Sequence, residues 1–385
     1  MNSFLKEYLG KVIPVTFELE SGGVSSVIGQ GNPEFKVRMH KDISKQELLS
    51  STSLALGEAY MRGDIDIDRD LYEVLNRFLA SMDKFSTNRS ALKKLFNTSN
   101  SKKNQKKEVT AHYDIGNDFY SLWLDETMSY SCGYFKDKDD TLYQAQVNKV
   151  DHILQKLQLE SGMTLLDIGC GWGFLLIRAA KQYGIKGVGI TLSELQYEKC
   201  NELIKDEGLE DQISVKLMDY RDLENSNMKF DRVVSVGMIE HVGRANYGLF
   251  LKNVDSVLAE EGLFLLHYIS SLRENPGDAW IRKYIFPGGT IPSLREIVNI
   301  LPDYNFYTLD IESLRRHYKN TLLCWRENFL SHREKIDEKM GKEFTRMWEL
   351  YLASCAANFN NGFNDLHQVL ISKGVNNKLV MTRTV

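Results

Sequence analysis

The sequence of 385 residues predicts an α/β protein, a Rossmann-like parallel sheet with helices on both faces, carried behind a small α+β module. Three observations predict it. Short apolar runs with strand character alternate with helical stretches from about residue 142 onward. A cluster of alternating glycines follows the first of those runs directly. The first 83 residues, by contrast, mix brief alternating segments with Gly and Pro turn signals.

In chain order, Val12 to Glu20 and Phe35 to Met39 read as strands, with turns at Gly22-Gly23 and Gly31-Asn32-Pro33. Ser44 to Tyr60 and Leu71 to Ala80 read as helices. Between Lys84 and Lys107 stand eight Lys or Arg and no acidic residue. Such a stretch is a solvated linker, and it also suits a basic tether drawn to anionic lipid headgroups. The expected division is therefore an N-terminal domain over 1–83, a basic linker over 84–108 and a larger domain over 109–385.

Within the larger domain, Leu142 to Leu159 has helical spacing and opens on Thr141-x-x-Gln144, the pattern of a capping box. Strands are expected at Thr164–Ile168, Gly187–Thr191, Ile213–Leu217, Asp231–Val236 and Leu263–Tyr268, with helices between them. The last third, Ser313 to Asp365, is largely helical. Its apolar positions recur at Tyr318, Leu322, Trp325 and Phe329, and again at Trp348, Leu352, Cys355 and Phe359.

Composition excludes several classes. The net charge of −4 argues against a dedicated nucleic-acid binder. No stretch approaches the roughly 18 apolar residues of a spanning helix, and the N-terminus lacks the pattern of a signal peptide. Five scattered cysteines with no Cys-x-x-Cys pair fit neither a disulfide framework nor a structural zinc site. Reduced thiols in a cytoplasmic protein are expected.

The strongest local signal is Leu165-Leu166-Asp167-Ile168-Gly169-Cys170-Gly171-Trp172-Gly173. Glycines let backbone N–H groups approach a ligand, and the helix that follows offers its positive end. A dinucleotide site would space its glycines as Gly-x-Gly-x-x-Gly to make room for a pyrophosphate. Here the spacing is Gly-x-Gly-x-Gly. Asp167 would repel a pyrophosphate but suits the ammonium of a methionine moiety, and the second strand ends in Thr191 where an NAD site wants an acid. S-adenosylmethionine is the better ligand. The third strand runs into Met218-Asp219-Tyr220-Arg221-Asp222, expected at the adenine, where Asp219 could accept from the exocyclic amine.

Further motifs stand in order: Ala111-His112-Tyr113-Asp114-Ile115-Gly116-Asn117-Asp118-Phe119-Tyr120, Met128 to Phe135 (MSYSCGYF), Ile190-Thr191-Leu192-Ser193-x-x-Gln196, and Val236-Gly237-Met238-Ile239-Glu240-His241-Val242-Gly243. With the glycine loop they resemble the cyclopropane-fatty-acyl-phospholipid synthase family over nearly the whole chain. The front module, with Gly57-Glu58-Ala59-Tyr60-Met61-x-Gly63-Asp64, looks like the lipid-engaging domain of the two-domain bacterial members. The resemblance implies a class I S-adenosylmethionine-dependent methyltransferase. Tyr130, Ser131, Gly169, Cys170, Gly171, Gly173, Thr191, Leu192, Gln196, Tyr220 and Arg221 would contact the cofactor. It also implies a bicarbonate ion held by Cys132, Glu240, His267, the Ile269 backbone and Tyr318, a homodimer, and transient contact with unsaturated phospholipids at the inner face of the membrane. The family's C-terminal cysteine falls at Cys355.

The chemistry explains such a set. An isolated alkene is a weak nucleophile, so methyl transfer generates a carbocation that water would trap. Closing a ring then requires loss of one methyl proton to a weak base in a dry pocket. Bicarbonate suits that task, with Cys132, His267, Tyr318 and a backbone N–H as donors and Glu240 as acceptor. Plainer roles are open to each residue: Glu240 could cap a helix, His267 could be a satisfied core histidine, and Cys355 could act as a small hydrophobe on a helical face. A mid-chain double bond must also be moved from bilayer to protein without wetting its methylenes, at about 0.8 kcal/mol each. Trp280 to Pro287 (WIRKYIFP) reads either as an interfacial docking surface or as a lid packed over the ligand.

Overall fold

The computed structural model describes residues 3–82 and 115–382. The basic segment expected over 84–108 and the start of the Ala111–Tyr120 motif lie outside the described residues. The chain divides into two compact units, neither continuous in sequence.

The first unit combines the described N-terminal residues, 3–82, with Gly277–Pro287 and Leu322–Phe363. Its elements begin with α1 (Ser3–Val12), β1 (Phe17–Ser21), β2 (Val24–Ile28) and β3 (Lys36–Met39). They continue through α2 (Lys45–Ser50), α3 (Thr52–Met61), β4 (Ile65–Ile67) and α4 (Leu71–Ala80). The sheet order is β2-β1-β3-β4, with β1 parallel to β3 and the other pairs antiparallel. Gly22 and Gly23, both at positive φ (58° and 76°), make the tight turn between β1 and β2. Two expectations are corrected. Val12–Glu20 is not one strand: α1 ends at Val12, Pro14 prevents its continuation, and pairing starts only at Phe17. Ser44–Tyr60 is not one helix either. Ser51 is extended (φ −160°, ψ 108°) and its hydroxyl accepts the Leu54 N–H at 3.3 Å, so it caps a new helix.

Three helices from the far end of the chain follow: α12 (Arg315–Ser331, entering this unit at Leu322), α13 (Arg333–Met340) and α14 (Lys342–Asn360), numbered with the second unit's elements below. Ala353 of α14 is fully buried in the core formed by Phe17, Leu19, Leu48 and Ala59. Arg346 of the same helix lies 4.0 Å over the Tyr60 ring and donates to the Ile65 carbonyl at 2.7 Å. The short helix α10 (Ala279–Tyr284) packs on α3. Gly57 has no side chain because the Trp280 indole occupies that space: a Cβ there would collide with the ring. Trp280 Nε1 donates to Met61 Sδ at 3.1 Å, while Lys283 and Tyr284 both reach Glu58. Two apolar members of the segment expected as a docking surface, Trp280 and Ile285, are therefore core residues of this unit, 3% and 1% exposed, while Ile281 and Phe286 are only partly buried.

The second unit opens with α5 (Asn117–Tyr120) and α6 (Leu142–Lys156). Its sheet then takes in β5 (Thr164–Ile168), α7 (Phe174–Tyr183), β6 (Lys186–Thr191), α8 (Glu194–Asp206) and β7 (Ile213–Leu217). β8 (Phe230–Val236), α9 (Tyr247–Val257), β9 (Leu258–Ser271), α11 (Leu294–Ile300), β10 (Phe306–Ser313) and β11 (Asn364–Lys373) complete it. The order is β10-β11-β9-β8-β5-β6-β7. The five expected strands are present and mutually parallel. The sheet as a whole is mixed, because β10 and β11 add two antiparallel strands beside β9. Those two were missed: each sits against long helical periodicity, and β10 has an exposed face that dilutes its apolar signal.

Alternation along the strands shows both faces covered. On β5, Leu165 packs into one buried cluster and Leu166 with Ile168 into the other; on β9, Leu263 and Leu265 part from Phe264, Leu266 and Tyr268 in the same way. The capping box at Thr141 is only half formed. Thr141 accepts the Gln144 N–H at 3.1 Å, but the Gln144 amide turns along the helix to Asn148 at 2.9 Å.

Candidate active site

A cavity opens at the C-terminal ends of β5, β6 and β8, where a doubly wound sheet leaves its crevice. β5 delivers Asp167 and Ile168 to it, and the turn Gly169-Cys170-Gly171 forms its floor. Gly169 and Gly171 hold positive φ (86° and 56°), which only glycine adopts freely. Gly173 also has positive φ but does not line the cavity. It is glycine for packing, since a Cβ there would strike Cys200 Sγ on α8.

Of the residues expected at the cofactor, Tyr130, Ser131, Asp167, Gly169, Cys170, Gly171, Thr191, Leu192, Gln196 and Tyr220 line this cavity. Thr191 donates to Gln196 Oε1 at 2.9 Å, leaving the Gln196 amide nitrogen to donate elsewhere. Tyr130 is held by Tyr120 and Trp123, and Trp172 is pinned by its Nε1 donating to Asn117 at 2.9 Å. Asp219 and Arg221 are placed differently. They form an internal pair, Arg221 Nε to Oδ1 at 2.8 Å and Nη2 to Oδ2 at 2.5 Å, and neither lines the cavity. Asp219 also takes the Arg221 backbone N–H, so its oxygens are already engaged where an exocyclic amine was expected. Its neighbours Met218 and Tyr220 form the wall there.

Asp167 is 3% exposed, and its Oδ1 has no hydrogen-bond partner among the described residues. Burial pushes its carboxyl up to about 7. An acid in that condition fits a cationic ligand group, as the ammonium of a methionine moiety would be.

A second group of expected residues meets beside the same crevice. Glu240 sits on the turn Ile239–His241 that leaves β8, whose flanking residues Val236, Gly237, Met238 and His241 line the cavity. Its Oε1 accepts the Ile269 N–H at 2.7 Å, while Oε2 is buried without a partner among the described residues. Burial raises this carboxyl to about 7. The Ile269 N–H, expected to face an ion, is thus engaged in aiming Glu240. His267 lies level with the end of β8, in register with Val236. Gln368, directly opposite on β11, places its amide nitrogen 3.2 Å from His267 Nδ1. With that amide donating, the ring proton sits on Nε2, which has no partner among the described residues. Burial holds the ring neutral by lowering its pKa well below the ordinary value.

Backbone pairing ties in two more. Leu366 pairs with Ile269 and accepts the Leu314 N–H at 2.7 Å; the Leu314 carbonyl accepts the Tyr318 N–H at 3.1 Å and lies 3.9 Å from Cys132 Sγ. Cys132 is fully buried and burial raises its thiol, so it is a weak donor and no thiolate. Cys355 lies on α14 in the first unit, partly buried, its thiol pushed up to about 12 by burial.

Sequence reasoning missed Lys149 and Gln368. Lys149 stands on α6 and lines this cavity, 4% exposed. The available signal was polar residues recurring at 146, 149, 152 and 156 on a helix whose apolar face was already assigned. Gln368 carried no signal until β11 was known to pair with β9.

These features match known proteins. Residues 100–369 match the family model for mycolic acid cyclopropane synthetase, and residues 1–90 match a domain of unknown function (DUF7884). A cyclopropane-fatty-acyl-phospholipid synthase of Escherichia coli is 40% identical over 370 residues, covering 94% of this chain and 92% of that protein. A probable fatty acid methyltransferase of Pseudomonas putida is 38% identical over 325 residues, covering 83% and 82%. The crystal structure of mycolic acid cyclopropane synthase CmaA1, complexed with SAH and CTAB, superposes with a TM-score of 0.66 at 34% identity, covering 70% of this chain and 98% of that one. The chain belongs to the mycolic acid cyclopropane synthetase family of S-adenosylmethionine-dependent methyltransferases.

Proposed function

We propose that this enzyme transfers the methyl group of S-adenosylmethionine to the cis double bond of an unsaturated phospholipid acyl chain and closes it to a cyclopropane. The observation that carries the reading is a pair of buried, complementary atoms beside the cofactor cavity: Glu240 Oε2, an acceptor, and His267 Nε2, a donor. Such atoms are costly to bury unless a polar ligand meets them. A bicarbonate ion fits both, since its oxygens accept from His267 and its O–H donates to Glu240.

When bound, S-adenosylmethionine supplies an electrophilic methyl and bicarbonate supplies a weak base. This chain's residues do the rest. Asp167, Gln196 and the glycine turn hold the nucleoside and its methionine end. Ile269 aims Glu240, Gln368 fixes the tautomer of His267, and the buried wall of Cys132 and Tyr318 keeps water from a cation. Cys355 takes no nucleophilic part, because a thiol raised so far has little thiolate at neutral pH. The further reading, from the family likeness, is a homodimeric cytoplasmic protein that visits the inner membrane face, with residues 1–83 engaging lipid and 109–385 reacting. Among the described residues no helix is long and apolar enough to cross a membrane, which suits contact from one side.

The experiment is incubation with labelled S-adenosylmethionine and vesicles of either unsaturated or fully saturated phospholipid. Label should enter the unsaturated lipid alone, as one CH₂ per double bond, with cyclopropyl protons in the product spectrum. Absence of labelled lipid would refute the function. Vinylidene protons or a methyl branch would instead establish a branching methyltransferase.

A further inference from the structure

Lys149 lines the cofactor cavity, yet neither the glycine loop nor the lipid chemistry accounts for a buried ammonium there. Its helix, α6, is buried on nearly every side, and its other buried polar residues each make a side-chain hydrogen bond, with Gln146 Oε1 left over among the described residues. Gln146 donates to the Ser131 carbonyl at 2.9 Å, while His152 and Lys156 both meet the Glu312 carboxylate, at 2.6 and 2.5 Å. Lys149 differs. Its Nζ donates to the neutral Ser131 hydroxyl at 3.1 Å, and among the described residues no carboxylate closes an ion pair with it. Asp125, the carboxylate that acts most strongly on Lys149, has both its oxygens bonded to Thr127, at 3.1 and 3.0 Å.

A buried cation without an anion is expensive, and burial draws the Lys149 pKa down to about 8. Asp167, in the same cavity, has the mirror-image problem: a buried carboxyl with an oxygen unpartnered. The two act on each other electrostatically but form no direct pair. One cavity thus presents a cation and an acid held apart, which is the complement of a zwitterion.

We propose that Lys149, together with the Ser131 hydroxyl, anchors the α-carboxylate of the cofactor's methionine moiety, while Asp167 receives its α-ammonium. The assignment rests on the S-adenosylmethionine reading above and adds a binding residue to it. Lys149 transfers nothing; it positions the amino-acid end, and through it the sulfur.

The test is calorimetric titration of the full chain with two ligands: S-adenosylhomocysteine, and its decarboxylated counterpart, which keeps the amine. The parent protein should prefer the carboxylate-bearing ligand roughly 10- to 100-fold, the range of a charge-assisted bond. Lys149→Met should flatten that preference to within about threefold while leaving affinity for the decarboxylated ligand nearly unchanged. A parent that binds both ligands equally overturns the anchor without any variant. A folded Lys149→Met protein that keeps the full preference overturns it too. Should the Met variant not melt cooperatively, Lys149→Gln serves for the same comparison. A parent that binds neither ligand would instead bring down the cofactor reading itself.

Discussion

Glu240 and Asp167 are carboxylic acids driven by burial to about 7, against ordinary values of 4.5 and 3.8. The sign of the consequence follows from linkage. Between about pH 4 and pH 7 the unfolded chain has released these protons while the native protein still holds them, so native stability falls as pH rises through that window. Glu240→Gln cannot titrate. Its stability relative to the parent should therefore improve from pH 5 to pH 8, by on the order of 2 kcal/mol, read from denaturant melts at both pH values. A constant difference would mean that Glu240 is ionised in the native protein throughout. Methyl transfer by the same variant should drop about 10²- to 10⁴-fold, the scale of a lost acid–base group. A variant whose relative stability rises with pH while its activity falls is the signature of a polar atom kept for chemistry.

At the level of elements, the junction of β5, the glycine turn and α7 makes a sharper claim than its motif does. Gly169 and Gly171 shape the cavity floor, whereas Gly173 makes room for Cys200 of α8. Gly173→Ala should cost about 2–4 kcal/mol, combining a clash with positive-φ strain. Adding Cys200→Ala removes the clashing sulfur and should recover all but about 1 kcal/mol, the backbone share. Chemical denaturation of the single and double variants checks this; equal loss in both would put the whole effect in the backbone. The same junction marks how far the residues were legible on their own. Strand periodicity located β5 through β9, and glycine spacing located the turn that floors the cavity, because both signals are local. β11 and Gln368 were hidden, since a strand that follows three helices declares itself only by what it pairs with. Asp219 misled for the opposite reason: an acid in the right register found an arginine two residues away before it could face a ligand.

At the scale of the whole molecule, the first unit is assembled from three separated segments of chain. Removing residues 1–82 would leave Ala353, Arg346 and Trp280 without the residues they pack against or bond to. The shortened protein should aggregate or lose a cooperative melt, as judged by gel filtration and circular dichroism; a monodisperse, cooperatively folding remainder would show that the C-terminal helices stand without their N-terminal partners. The notch at Gly57 has one more consequence. Lifting α10 from α3 means drawing an indole out of its socket, at about 3 kcal/mol, so the raised form is populated below roughly one per cent. The segment behaves as a clasp, fastened by default. In a protein whose other four tryptophans are replaced by Phe, Trp280 is also a built-in reporter, because release of its indole into water would shift the emission to the red.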